Sequence, residues 1–182
     1  MDIGETLYVT DAGAWRDWLE ANHASAAEIW LVYPNKRSGQ PRIPYNDAVD
    51  EALCFGWIDS VVKSLDGERA AQRFTPRRPK SPLSEMNKAR IRRLHATGKM
   101  TPDGLAVAHG VLDEAYAVPA DVEAALRLDD EVWRNFEAFP ESYKRIRVGW
   151  IEGSRNRQDV FERRLAYFIR MTKQGKRFGM EQ

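Results

Sequence analysis

Cysteine is nearly absent from this 182-residue chain: Cys54 stands alone, so no internal disulfide can form. Histidine is scarce as well. His23, His95 and His109 make no His-x-x-x-His pair, so no zinc site of familiar spacing can be assembled. The 12 glycines include no Gly-x-Gly-x-x-Gly turn, no phosphate loop and no Gly-x-Ser-x-Gly elbow. No metal and no cofactor is therefore expected. No apolar run nears the roughly 20 residues that a membrane-spanning helix needs, so membrane insertion is not expected either. The opening residues, Met1-Asp2-Ile3-Gly4-Glu5, are acidic and lack the basic start and apolar stretch of a signal peptide. With the lone cysteine, that predicts a cytoplasmic location.

What is present is ordinary globular composition, 43% hydrophobic and 30% charged, enough to bury a core. The formal net charge of +1 conceals an alternation. Residues 1–72 carry a net −6, residues 73–99 a net +8, residues 100–140 a net −7 and residues 141–182 a net +6. Either the blocks neutralise one another in the fold, or the two basic segments converge on an anion such as phosphate or nucleic acid.

The periodicity predicts an α+β fold: a small, mostly antiparallel sheet with packed helices, followed by a C-terminal helical part. Leu7-Tyr8-Val9 reads as a short strand, with Thr10 or Asp11 capping a first helix. Glu28 to Tyr33 is a strand stopped by Pro34, and a helix starts near Tyr45 or Asn46 and ends at Phe55-Gly56. Asp66-Gly67 signals a two-residue hairpin turn between Trp57–Leu65 and Glu68–Thr75. That register sets Asp59 against Phe74 and Val61 against Gln72, with Trp57, Asp59, Val61, Leu65 and Phe74 on one buried face. Helices follow from Ser81 or Ser84 to about Thr97, after Thr101-Pro102, over roughly 120–127 and 129–138, from Pro140, and from about Asn156 to Lys173. The expected organisation is an α/β part over 1–80 with its hairpin at 57–75, a helical part over 81–175 packed on it as one domain, and a loose tail at 176–182.

Three segments set polar residues on otherwise apolar arcs. Asp59 falls among Trp57, Val61, Leu65 and Phe74, where a carboxylate must be paired, hydrogen-bonded or protonated. It is either a structural partner or a ligand-contacting acid or general base. Arg73 lies on the opposite face of the hairpin, so an Asp59–Arg73 pair is not expected without a bulge. The run Arg73-Phe74-Thr75-Pro76-Arg77-Arg78-Pro79-Lys80-Ser81 leads into a helix N-terminus at Ser84, a place suited to an anion. On that helix Asn87 and Arg90 share an arc with Leu83, Met86, Ile91 and Leu94, as satisfied core groups or as pocket lining. In the last helix Arg157 and Arg164 sit on one broad arc with Val160, Phe161, Tyr167, Phe168 and Met171. Their stems can snorkel to the surface, or they can pair with a buried acid such as Asp59 or with a ligand. Cys54, with no basic neighbour, reads as a packed small hydrophobe.

Leu53-Cys54-Phe55-Gly56-Trp57-Ile58-Asp59-Ser60, then Arg73 to Arg77, Ser84 to Asn87, Leu94, and Gly98-Lys99-Met100 resemble the YdeI/OmpD-associated family, also labelled bacteriocin-protection proteins. The resemblance spans nearly the whole chain, including the arginine-rich last helix. It implies a bacterial intracellular protein linked by name to envelope stress or resistance to antimicrobial proteins, and carries no catalytic mechanism. Its patterned polar positions fall on Asp59, Arg73, Thr75, Arg77, Ser84 and Asn87, and its basic positions on Arg157, Arg163 and Arg164. Val160-Phe161 stand where relatives show Thr-Arg, and Leu83 stands where they frequently show tryptophan.

Three functions remain open at this point. The first is a stress-protection type protein that binds a small anionic molecule or a protein partner in a pocket between the hairpin and the basic helices. Its candidate residues are Asp59, Arg73, Thr75, Arg77, Ser84, Asn87, Arg90, Arg157 and Arg164. The second is an enzyme with Asp59 as general acid or base. The third is nucleic-acid binding through residues 73–99 and 141–177.

Overall fold

Strand order follows from which segments can be buried on both faces. In a computed structural model that describes residues 2–78, 81–108 and 110–179, the four strands are arranged β1-β2-β4-β3. β1 (Thr6–Leu7) runs parallel to β2 (Ile29–Pro34), and β2 pairs antiparallel with β4 (Arg69–Pro76). β3 (Trp57–Ser64) pairs antiparallel with β4 and forms the edge. Ile29, Trp30, Leu31 and Val32 are consecutive and all buried, as a central strand requires. The sheet is thus mixed and mostly antiparallel, and the fold is α+β.

The helices, in chain order, are α1 (Ala12–Asn22), α2 (Tyr45–Cys54), α3 (Glu85–Ala96), α4 (Pro102–Val107), α5 (Ala120–Leu126), α6 (Asp130–Ala138), α7 (Glu141–Glu152) and α8 (Gln158–Lys173). The chain divides into two units, Met1–Ser81 with Ile91–Leu112, and Pro82–Arg90 with Asp113–Gln182. The segment from 91 to 112, expected with the helical part, therefore belongs to the first unit.

In the first unit the core gathers Trp15, Leu19, Ile29, Trp30, Leu31, Leu53, Trp57 and Phe74, all at most 2% exposed. Trp15 packs on Trp18 and Phe74, each with ring centroids 5.4 Å apart, and its indole N–H donates to the Ala48 carbonyl at 3.0 Å. Asp11 caps α1 by accepting from the Ala14 amide at 3.0 Å. α4 is fixed by Thr101, whose hydroxyl donates to the Cys54 carbonyl at 2.6 Å and accepts from the Gly104 amide. Only glycine fits at 104, because a Cβ there would lie 2.1 Å from the Cys54 carbonyl oxygen.

His23, just after α1, faces acceptors on both ring nitrogens: the Leu19 carbonyl at 2.8 Å and an Asp103 carboxylate oxygen at 2.9 Å. Both nitrogens must donate, which selects the imidazolium. The hydrogen bond that His23 donates to Asp103 raises the His23 pKa accordingly.

The hairpin keeps one part of the expected register and loses another. Asp59 does oppose Phe74, but Gln72 opposes Val62 rather than Val61. The Leu65 amide donates to the Arg69 carbonyl, so the turn is one residue longer than Asp66-Gly67, and a bulge between Asp59 and Val62 restores the pairing. Val61, expected on the buried face, is 45% exposed as a consequence.

The second unit has its own core of Val122, Leu126, Val132, Phe136, Tyr143, Val148, Ile151, Phe161 and Phe168. Asp129 caps α6 by accepting from the Glu131 and Val132 amides, and Lys173 at the end of α8 reaches the same carboxylate at 2.6 Å. Gly149 of α7 is held against α3, since a Cβ there would lie 2.4 Å from Glu85 Cγ. In the tail expected to be loose, Phe178 packs on this core and its amide donates to the Tyr143 hydroxyl at 3.2 Å. Residues 180–182 of that tail lie outside the described residues.

Candidate functional site

The nine candidate residues fall in both units. Asp59, Arg73, Thr75 and Arg77 are in the first; Ser84, Asn87, Arg90, Arg157 and Arg164 are in the second. The hairpin acid is occupied. Asp59 accepts from the Tyr45 hydroxyl at 2.8 Å and from the Gln72 amide at 3.3 Å, while Gln72 also donates to the Ser60 carbonyl. Arg73 does not reach Asp59. It turns to Glu28, with Nε 2.7 Å from Oε2, and hydrogen bonds from Trp30 and then Arg73 lower the Glu28 pKa. Thr75 is half-buried opposite Ile58. The Arg77 amide donates to the Gly56 carbonyl at 2.9 Å and its guanidinium to the Ser81 carbonyl, and burial lowers its pKa. The first-unit cations of the run 73–81 are thus not gathered on one anion site; Pro79 and Lys80 lie outside the described residues. Cys54 is fully buried, and desolvation pushes its thiol up to about 11, as befits a packing residue.

The charge blocks largely neutralise one another. Within the first unit Arg73 meets Glu28 and Arg93 meets Asp50; within the second, Lys88 meets Glu85 and Glu114, Arg155 meets Asp121, and Lys173 meets Asp129. The Asp121 carboxyl is held down at about 2, chiefly by its hydrogen bond from Arg155.

Arg134, Arg157, Arg163, Arg164 and Arg170 of the second unit stand apart from this pairing among the described residues, and three of them share a cleft. A cleft of about 490 Å³ is lined by Trp150, Arg157, Val160, Arg163, Arg164 and Tyr167. On a helix of 3.6 residues per turn Val160, Arg163, Arg164 and Tyr167 fall within an arc of about 100°, with Asp159 and Glu162 outside it, and Arg157 stands just before the helix. Phe161 and Phe168 turn into the core, so the arginines flank the apolar stripe rather than crossing it. Among the described residues, neither Arg157 nor Arg163 has an acidic partner, and both are exposed. Arg164 lies over the Trp150 ring, 4.7 Å from its centroid, and donates to the Trp150 carbonyl. That carbonyl belongs to the last turn of α7, where orphan carbonyls favour a cation. One bond uses one of five guanidinium N–H donors.

Ser84 and Asn87 have structural duties. The Ser84 hydroxyl accepts from the Asn87 amide at 3.2 Å, which starts α3, and Asn87 is half-buried. Ser84 also lines a second cleft, of about 320 Å³, with Met86, Ile146, Arg147 and Trp150, so Trp150 is common to both. Arg90 is 2% exposed. Among the described residues no group of three or more histidine, cysteine, aspartate or glutamate side chains is placed to hold a metal ion, and no helix is long and apolar enough to cross a membrane.

Residues 7–107 match the model of a family described as Domain of unknown function (DUF8412), more than half of the chain. The chain belongs to the DUF8412 family. Residues 115–175 match a second model, Bacteriocin-protection, YdeI or OmpD-Associated, so the YdeI/OmpD-associated family indicated by the sequence is present in this part. Its extent differs from the expectation: the Gly-Trp-Ile-Asp and Thr-Pro-Arg blocks lie in the DUF8412 match, while Arg157, Arg163, Arg164, Trp150 and Tyr167 lie in the YdeI/OmpD-associated match. No curated protein and no solved structure matches the chain.

Trp150, Val160, Arg163 and Tyr167 line the cleft but were not among the nine candidates, although the family resemblance marked Arg163 as a basic position. Phe178 sets its ring edge-on to Trp150 at 5.8 Å and to Tyr167 at 4.7 Å. An aromatic residue just past the helix stop at Gly175 was the signal that the tail folds back.

Proposed function

We propose that this protein binds an anionic ligand in the cleft formed by Trp150, Arg157, Val160, Arg163, Arg164 and Tyr167, and that this binding serves a protective role of the kind named in the YdeI/OmpD-associated description. The observation that carries the reading is the pair Arg157 and Arg163. Many cations of the chain are neutralised by an acid, yet these two share a cleft with Arg164 and have no acidic partner among the described residues. Clustered guanidinium groups repel one another, and a carboxylate or phosphate placed among them relieves that repulsion through bidentate hydrogen bonds. The size is suitable, since ligand clefts run from roughly 300 to 1,000 Å³. Helix α8 begins beside Arg157, so its free amides add to the positive field.

The test is isothermal titration of the full chain with pyrophosphate at low ionic strength. Wild type should bind, with affinity that weakens as salt screens the site. The double variant Arg157→Ala/Arg163→Ala should lose about tenfold or more, since each charge-assisted bond contributes about 1.5–3 kcal/mol, while its unfolding midpoint stays in place. Equal binding by both proteins, or none by wild type, refutes the proposal.

A further inference from the structure

The cleft is larger than a bare anion fills. Arg157, just before α8, and Arg164 on it are seven residues apart, about 10 Å along the helix axis. An inorganic anion among them leaves most of about 490 Å³ unfilled. Of the six lining residues only Val160 is aliphatic; the other uncharged walls are Trp150 and Tyr167.

Those rings are fixed in advance. Phe178 meets Trp150 at an interplanar angle of 73° and Tyr167 at 85°, pinning both edge-on. Arg164 lies over the Trp150 ring and Arg170 over the Tyr167 ring, 4.7 and 5.1 Å from their centroids. Rigid aromatic faces and guanidinium planes suit a planar ring, because both stack on heteroaromatic bases at little conformational cost. The unpartnered arginines beside them suit phosphate.

We infer that the ligand of this cleft is a nucleotide unit, a base stacked against the Trp150 and Tyr167 walls with its phosphate on Arg157, Arg163 and Arg164. This rests on the anion-binding reading above and specifies its ligand. The same unit is offered by a free mononucleotide or by single-stranded nucleic acid.

The experiment compares AMP, ribose 5-phosphate, adenosine and pyrophosphate as ligands of the full chain by isothermal titration. AMP should bind more tightly than ribose 5-phosphate by about tenfold or more, the contribution of one stacked base, and more tightly than adenosine by a similar factor. Tyr167→Leu should erase the advantage of AMP over ribose 5-phosphate, and Tyr167→Phe should keep it. Equal affinity of wild type for AMP, ribose 5-phosphate and pyrophosphate overturns the nucleotide assignment and leaves the anion reading standing. Failure of all four to bind overturns both. A short oligothymidylate that displaces AMP and binds more tightly supports the assignment with nucleic acid as the source. AMP binding that the oligomer does not surpass supports it with the free nucleotide as the source.

Discussion

The hairpin of the first unit and the last helix of the second present the same pattern in sequence, charged groups set on an apolar arc, and put it to different ends. Asp59 is bound by Tyr45 and Gln72, and Arg73 by Glu28. Arg157 and Arg163 have no acid among the described residues and open onto a cleft. The difference lies in distant partners. Arg73 is neutralised by a carboxylate 45 residues away, and no local arc can reveal that. A polar residue on an apolar face therefore marks a place where a partner is needed; whether the protein supplies it decides between structure and binding.

The sharpest way to separate the two regions is to damage one of them. Gly104→Ala forces a Cβ to 2.1 Å from the Cys54 carbonyl oxygen and should destabilise the first unit by about 3 kcal/mol, read from the urea unfolding midpoint. Next comes Arg16→Leu. It strips Glu51, 5% exposed, of its 2.8 Å partner and leaves only the Lys99 ammonium at 3.9 Å, for a loss of about 2 kcal/mol in the same assay. Asp59→Asn disturbs the bond from Tyr45 and should cost about 1 kcal/mol without affecting anion binding.

The smallest effect is one of pH. The folded-state pKa of His23 is raised by Asp103, so its stabilising contribution is complete below the ordinary value of 6.5 and fades as pH rises through the folded value. The stability gap between wild type and Asp103→Asn should accordingly be under about 1 kcal/mol and should narrow from mildly acidic to mildly alkaline solution. A gap that widens with pH contradicts the imidazolium assignment.

Much of the fold was legible because its signals are local. Asp11 and Pro140 mark helix starts, and the heptad-like spacing of Phe161 and Phe168 marks the buried side of α8. The hairpin shows where locality ends. Asp66-Gly67 announced a turn but not its length, and the bulge that offsets the longer turn has no sequence signature. Asp59 came out opposite Phe74 because those two departures cancel. Arg157 and Arg164 were legible from their arc, and Arg163 only from the family resemblance. The ring walls were not, since Trp150 meets Arg164 across two helices and Phe178 reaches both rings from the tail.

One crossed comparison separates a structural arginine from a binding one: unfolding midpoint and pyrophosphate affinity, each measured for Arg73→Ala and Arg163→Ala. Arg73→Ala should lose about 1 kcal/mol of stability, as a half-exposed pair does, and bind as wild type does. Arg163→Ala should unfold within about 0.5 kcal/mol of wild type and bind pyrophosphate several-fold more weakly. If Arg163→Ala is destabilised and binds normally, the last helix is as structural as the hairpin and the binding site is not there.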